Sequence, residues 1–310
     1  MDFESNQKNI LELFESKPCV TMCAPMVRYS KLPFRMLVRR YCCDVAFTPM
    51  MISHSFLESA NARDSDFTTS YEDRPLVAQF AAKNAVELSE CAELIYSQTD
   101  GIDLNCGCPQ RWAMSDGYGA CLLEKPEIVQ DMIHQVRNRI SDSRYTVSLK
   151  IRVHDDLRKT VEYCKRAEQA GVSFISVHGR TKSQRNEPIN VDAIKLVKEN
   201  VSIPVVGNGD VFHLDDIVTL QEATGVNGVM CARGLLQNPT LFTGTDRTPS
   251  NCVTDWIDTA VSFGATFTSL HHHLIFMLEK IMPKAERKLF NTYSSFACVL
   301  DHLECYNLSS

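Results

Sequence analysis

Short apolar segments alternate with helical patterns along most of the chain, and this alternation constrains the fold more than any other feature. The segments are apolar at nearly every position, which is typical of strands covered on both faces. They lie at 19–26, 44–50, 75–82, 101–109, 145–153, 174–180, 204–210 and 228–235. Helical patterns lie at 31–41, 84–96, 126–140, 155–171, 191–200 and 214–225. Eight strands that alternate with helices predict an α/β fold, a closed (β/α)8 TIM barrel.

A doubly wound open sheet is the alternative fold. Its usual Gly-rich turn after the first strand is absent, because that strand ends in APMVRYS. The pattern changes after residue 245, where a linker (243–252) leads into amphipathic helices predicted at 253–264, 269–281 and 285–306. The sequence therefore predicts a barrel domain over 1–245 and a small helical domain over 246–310.

Composition limits the environment and the partners of the chain. It has 310 residues, 13 cysteines and a net charge of −6. The acidic start lacks the features of a secretory or transit peptide, and no apolar run approaches the ~20 residues of a membrane span. Reduced thiols in the cytoplasm or nucleus are expected. Basic runs at 27–41 and 280–288 are either solvated helix faces or phosphate-binding stripes.

Unusual polar residues lie at the carboxyl ends of the predicted strands, where barrel enzymes place their active sites. The last two strands end in GNGD (207–210) and ARG (232–234), which predict a phosphate site from Gly-rich backbone and a fixed cation. Two tight turns and a surface Arg are the alternative. Gln79, Lys150 and His178 interrupt other apolar strands and suit a planar polar ring such as a flavin, unless each is a satisfied core group.

Two cysteines, Cys106 and Cys108, flank Gly107 at the end of the fourth predicted strand. One intervening residue is too short for the usual zinc or C-x-x-C redox spacing, and no metal site is predicted. Cys108 is interpreted as a single working thiol and Cys106 as a buried, inert one. The Gly-containing segment 110–126 that follows is predicted to be a loop long enough to act as a lid.

The motifs NCGCPQ, APM, TPM, VAQF, SLKIR, VHGRT, GNGD and ARGLLQNP resemble, in this order, those of the tRNA-dihydrouridine synthase family over about residues 19–242. The resemblance implies an FMN-binding TIM barrel with a helical tRNA-binding domain, and NADPH or NADH as the reductant. It is similar to the eukaryotic branch that acts on D-loop positions 20a and 20b.

The resemblance also implies a role for each matching residue. Cys108 matches the proton donor, and Asn105 matches a contact to the target uracil. The implied FMN contacts are the ring platform Pro25 and Met26, the ring-edge residues Gln79, Lys150 and His178, and the ribityl-phosphate residues Asn208, Gly209, Asp210, Ala232 and Arg233.

Two further functions stay open at this stage. The first is a barrel enzyme that acts on a small phosphorylated metabolite without a flavin. The second is a non-catalytic RNA-binding barrel. Neither gives Cys108 a task, which favours the flavin-dependent reductase.

Overall fold

Parallel strands form the centre of the computed structural model, which describes residues 9–304. The strands are β1 (Val20–Cys23), β2 (Val45–Phe47), β3 (Met51–Ile52), β4 (Leu76–Ala81), β5 (Gly101–Cys106), β6 (Thr146–Arg152), β7 (Phe174–His178), β8 (Val205–Asn208) and β9 (Gly228–Cys231). Strand β1 pairs with both β2 and β9, β2 pairs with β4, and β4 to β9 pair in chain order, so the sheet closes. The two-residue β3 pairs with β4 beside the barrel. The predicted closed barrel is confirmed, and each predicted apolar segment contains one of its strands.

Helices surround this barrel and continue after its last strand. They are α1 (Ile10–Ser16), α2 (Leu32–Arg40), α3 (Ser53–Glu58), α4 (Ala60–Asp66), α5 (Ala85–Ile95), α6 (Arg111–Ser115), α7 (Pro126–Arg139), α8 (Leu157–Gln169), α9 (Val191–Asn200), α10 (Leu214–Thr224), α11 (Arg233–Gln237), α12 (Ser250–Ser262), α13 (Phe267–Met277), α14 (Lys284–Phe290) and α15 (Phe296–Glu304). The six helices predicted between the strands correspond to α2, α5, α7, α8, α9 and α10. Within the described residues, no helix is both long and apolar enough to cross a membrane.

Side chains of each strand alternate between the barrel interior and the helices outside. On β5, Ile102, Leu104 and Cys106 pack in the large apolar cluster shared with the surrounding helices. Asp103 and Asn105, at the intervening positions, are buried on the inward face and bond to side chains of the neighbouring strands. The period-2 alternation of a strand therefore separates an apolar outer face from a polar inner one.

Helix α1 closes the amino-terminal end of the barrel. Ile10, Leu13 and Phe14 pack in one cluster with inward side chains of the strands. The Phe14 ring lies 5.4 Å from that of Phe174 on β7. A capping box between Asn9 and Glu12 starts this helix. Because one end is apolar and covered, polar chemistry is confined to the carboxyl end of the strands.

Two segments differ from their predicted structure. The prediction of one helix over 285–306 is wrong within the described residues, because residues 291–295 separate α14 from α15. Residues 305 and 306 lie outside the described part. The dividing sequence NTYSS contains Asn and Ser, whose side chains compete for backbone hydrogen bonds and favour helix ends. The segment 110–126 is not an irregular loop, because it contains α6 and a 3-10 helix over Gly119–Glu124.

Helices α12 and α13 pack against the barrel through aromatic side chains. Trp256 is fully buried, and its indole N–H donates to the Leu270 carbonyl at 3.1 Å. His273 stacks on Phe34 of α2 with ring centroids 4.5 Å apart, and its Nε2 lies 3.2 Å from the Tyr29 carbonyl oxygen. His273 therefore serves packing between the later helices and the barrel.

Most of the basic run 27–41 serves the fold. Arg35 is buried and donates to Asp73 Oδ2 from Nε and Nη2, at 2.9 and 2.7 Å. Arg39 Nε donates to the other oxygen of Asp73 at 3.1 Å. Arg40 is half exposed and pairs with Asp255 on α12. The alternative of a phosphate-binding stripe therefore does not hold for Arg35 and Arg39.

We expect Asp73→Ala to lower the free energy of unfolding by about 3–5 kcal/mol, since it leaves the buried Arg35 guanidinium without a counter-charge. Arg40→Ala removes an exposed pair and is the matched control, with an expected loss of about 0–1 kcal/mol. Denaturant unfolding of both variants measures the difference. Equal losses in the two variants would contradict this account of the Arg35–Asp73 pair.

Candidate active site

A cavity of about 200 Å³ opens at the carboxyl ends of the strands. Its lining contains Pro25, Gln79, Asn105, Cys108, Lys150 and His178. A second, smaller cavity of about 70 Å³ shares His178 and is lined by Asn208, Gly209, Asp210, Ala232 and Arg233. The structure thus brings the residues singled out from sequence to one end of the barrel. Met26, which follows Pro25, is not among the lining residues of either cavity, and its side chain packs against the apolar clusters.

Cys108 and Cys106 have opposite environments, as the sequence predicts. Cys106 is fully buried on the outer face of β5, and burial raises the pKa of its thiol, which keeps it protonated and inert. Cys108 is half-buried after the strand and lines the cavity. It packs beside Ala81, Ala113 and Tyr118. Of these two thiols, Cys108 is therefore the one available for chemistry in the cavity.

The segment after Cys108 holds its backbone in place. Ala120 N–H donates to the Cys108 carbonyl oxygen at 2.9 Å. Gly119 has a φ of +68°, and a Cβ added there would lie 2.6 Å from the same oxygen and 2.9 Å from the Cys108 Cβ. Only glycine allows this close approach with this backbone conformation. Segment 110–126 therefore forms a support for Cys108.

Lys150 supplies a positive charge inside the barrel. Its Nζ donates to Asn208 Oδ1 at 2.8 Å, and Asn208 Nδ2 donates to the Met230 carbonyl at 2.8 Å. Loss of hydration lowers the pKa of Lys150 to about 8, and the nearby Asp103 carboxylate opposes that shift. An ammonium group has three donors. Lys150 is therefore a fixed cation whose remaining donors can meet an anionic or carbonyl acceptor in the cavity.

His178 is held as a neutral imidazole of one tautomer. Its Nε2 lies 3.2 Å from Nη1 of the buried Arg180. A guanidinium can only donate, so Nε2 must accept and the proton must reside on Nδ1. Burial lowers the pKa of His178 to about 2, and the charges of Lys150, Arg152, Arg180 and Arg233 act in the same direction.

The carboxylate of Asp210 forms an ion pair with Arg180, and both residues line the smaller cavity. It also accepts from the Ile189 N–H at 3.0 Å. The backbone of Asp210 has a φ of +52° and follows Gly209 at +122°, which makes a tight turn after β8. Arg233 is 55% exposed and lies 3.8 Å from Asp210, so its guanidinium is accessible at the cavity rim.

Sequence reasoning missed three charged residues at or beside this site: Asp103, Arg152, which lines the larger cavity, and Arg180, which lines the smaller one. Asp103 is fully buried and accepts from Gln79 Nε2 at 2.8 Å and Ser148 Oγ at 2.6 Å. Burial raises its pKa to about 6. The signal for Asp103 was its position in GIDLNC, two residues before Asn105 and hence on the same strand face. Arg180 follows two residues after His178 and carries no comparable signal.

We expect Gly119→Ala to destabilise the protein by about 2 kcal/mol more than Gly225→Ala, because the added methyl group meets the Cys108 backbone. Gly225 is a matched control, since its φ is +70° and a Cβ there meets nothing within 4 Å. Thermal unfolding measures the difference. Mass-spectrometric alkylation should also detect faster modification of Cys108 in Gly119→Ala only. Equal behaviour of the two variants would contradict the close approach.

We expect nitrogen NMR to show His178 neutral and protonated on Nδ1 from pH 5 to 8, since its pKa lies far below the ordinary 6.5. In the unfolded chain this imidazole gains a proton near pH 6.5, so acid favours unfolding and the contribution of His178 to stability is lost as the pH falls below that value. A titration of the folded protein with a midpoint near 6.5, or a proton on Nε2, would contradict this assignment.

The chain matches known proteins over most of its length. A profile described as "Dihydrouridine synthase (Dus)" matches residues 22–297. A tRNA-dihydrouridine(20a/20b) synthase [NAD(P)+]-like protein of Mus musculus is 53% identical over 97% of this chain and 93% of its own length. The Homo sapiens protein of the same name is 50% identical over 97% of this chain and 95% of its own. The Schizosaccharomyces pombe tRNA-dihydrouridine(20a/20b) synthase [NAD(P)+] is 41% identical, with 95% and 90% coverage.

Among solved structures, the old yellow enzyme from Trypanosoma cruzi superposes with a TM-score of 0.52 at 10% identity, covering 72% of this chain and 86% of that one. At this identity the likeness shows the barrel fold alone. The profile match and the identity to the three relatives go further: the chain belongs to the dihydrouridine synthase family.

Proposed function

We propose that the protein is a flavin-dependent tRNA-dihydrouridine synthase, which reduces the C5–C6 double bond of a uridine in the tRNA D-loop. The observation that carries the proposal is the position of Cys108, which lines one cavity with Gln79, Lys150 and His178. A thiol that faces a set of hydrogen-bond donors suits proton transfer to a bound planar base. A barrel for small phosphorylated metabolites, or one that only binds RNA, leaves this thiol without a task.

The polar groups of the two cavities fit FMN. Three hydrogen-bond donors suit the nitrogen and carbonyl acceptors at the edge of a flavin ring. They are the ammonium of Lys150, the Nδ1–H of His178 and the second N–H of Gln79. Arg233 at the smaller cavity suits the phosphate, with the backbone of Gly209 and Asp210 beside it. Asp210 would act through its backbone, because its carboxylate is paired with Arg180. Pro25 lines the cavity from β1, where the flavin platform is expected.

The chemistry that bound FMN would supply, after reduction by NADPH or NADH, is a hydride for C6 of the uracil. Cys108 acts as the general acid: its S–H bond breaks as the C5–H bond forms, and solvent returns a proton to the thiolate. Asn105, whose Nδ2 has one N–H without an acceptor among residues 9–304, would orient the uracil. Lys150 places positive charge near the groups that become more negative during the transfer.

Support for an RNA substrate comes from charges near the site. Arg28 and Lys31, which follow β1, line a cavity of about 580 Å³ together with His272 of α13. Cations at this position suit RNA phosphates, although the whole chain carries a net charge of −6. The target base must leave the RNA stack to enter the barrel, which is least costly in a loop.

The finer assignments follow the relatives. The names of the mouse, human and fission yeast proteins contain positions 20a/20b and NAD(P)+. We extend both to this chain. The cytoplasm or the nucleus, where tRNA is processed, is the expected location.

We expect Cys108→Ala to lower the rate of dihydrouridine formation by at least about 10²-fold, because the general acid is removed. FMN absorbance and tRNA binding should persist. Cys298→Ala, at an exposed cysteine, is the matched control and should leave the rate as it is. Mass spectrometry of tRNA incubated with each variant and NADPH gives the measurement. An undiminished yield from Cys108→Ala would remove the proposed role of the thiol, and a wild-type protein that forms no dihydrouridine would refute the function.

A further inference from the structure

A continuous series of buried hydrogen bonds runs from the middle of the barrel to the backbone of Cys108. It begins at Asp103 on β5, passes through Gln79 on the neighbouring β4, and returns to Asn105 on β5. The strand register places Gln79 directly opposite Asp103. Gln79 is 1% exposed, Asp103 is fully buried and Asn105 is 8% exposed. These three side chains are therefore hydrogen-bonded to one another in a region that little water reaches.

The direction of each bond follows from the carboxylate. Asp103 when ionised can only accept, so Gln79 must turn its NH₂ group toward it, at 2.8 Å. The carbonyl oxygen of Gln79 then faces Asn105 and accepts from its Nδ2 at 2.9 Å. Either amide, if flipped, would oppose two oxygens or two N–H groups. Asp103 therefore fixes the orientation of both amides.

Asn105 transmits this orientation to the catalytic thiol. With its Nδ2 bonded to Gln79, its Oδ1 faces the end of β5 and accepts from the N–H of Gly107 at 3.2 Å and of Cys108 at 2.9 Å. The carbonyl of Cys108 is held separately by the Ala120 N–H at 2.9 Å. The Cys108 peptide is thus fixed on one side by the series that starts at Asp103 and on the other by segment 110–126.

We propose that Asp103 is a positioning residue for Cys108, which acts through the side-chain amides of Gln79 and Asn105. The inference rests on the proposed function, in which Cys108 is the general acid, and it assigns to Asn105 a second task besides contact with the uracil. Asp103 does not itself line the cavity, and it contacts the lining residue Gln79. The path from Asp103 to the Cys108 backbone therefore runs through the two amides.

Asp103→Leu and Asp103→Asn form the test pair, read by hydrogen exchange of the Cys108 amide in protein without flavin or RNA. Leucine offers no acceptor, so Gln79 is no longer oriented and exchange should accelerate by about fivefold or more. Asparagine keeps an oxygen for Gln79 and can donate to Ser148 Oγ, which can accept, so protection should remain. Ser176→Ala changes an inward hydroxyl of β7 outside the series, and it should leave the exchange as in wild type.

Gln79→Leu keeps Asp103 and Ser148 and decides the question if Asp103→Leu does not fold. It should accelerate exchange as Asp103→Leu does, and the double variant should exchange no faster than Gln79→Leu alone, because the effect passes through Gln79. Wild-type exchange in Gln79→Leu, or two effects that add in full, would overturn the proposal.

Kinetics separate this inference from the proposed function. Asp103→Leu should lower kcat for dihydrouridine formation by about tenfold and change KM for tRNA by less than about twofold, because the thiol is displaced while the contacts to RNA phosphates remain. A wild-type protein without activity would refute the proposed function. The exchange result would then still show whether Asp103 holds the Cys108 backbone in place. An active wild type with full kcat in Asp103→Leu refutes the inference alone.

Discussion

A closed barrel excludes most water from its interior, so the charged and amide side chains inside it depend on partners within the chain. The other features of this structure depend on that requirement. Helix α1 covers one end with Ile10, Leu13 and Phe14, and the interior there is apolar. At the other end, amides, a hydroxyl, a carboxylate and an ammonium group satisfy one another. The polar residues are therefore ordered by mutual hydrogen bonds before any ligand enters, which is the condition for preorganised catalysis.

Charge is distributed unevenly in this acidic protein. Four cationic side chains surround His178, namely Lys150, Arg152, Arg180 and Arg233. Burial and these charges together keep the imidazole neutral. One carboxylate moderates this field, since Asp210 pairs with Arg180 at the rim. The result is a local excess of positive charge where a phosphate and an electron-rich ring are proposed to bind. Net charge alone gives no indication of such a site, because the charge of the whole chain is averaged over distant surfaces.

The sequence was sufficient for the barrel and for most of the residues that meet at its carboxyl end. Strands buried on both faces are apolar throughout, and a polar residue such as Lys150 or Gln79 therefore stands out against them. The same contrast could have singled out Asp103 as an unusual residue. Its role could not be predicted, because its partner Gln79 lies on another strand and no local pattern specifies that pairing. Arg35 and Arg39 were ambiguous because their partner Asp73 lies 38 and 34 positions away. The division of the last predicted helix had a local signal, the Asn and Ser residues of NTYSS, which the longer amphipathic pattern obscured.

The side chain of Trp256 packs the later helices against the barrel. The change of sequence pattern after residue 245 gives no indication of this contact. Phe34 on α2 is fully buried, and its neighbours Trp256 and His273 both come from beyond that point. A fragment cut at 245 would expose an aromatic face that the whole chain keeps from water, at a cost comparable to the net stability of many domains. We therefore expect these two regions of different architecture to unfold together, in a single transition.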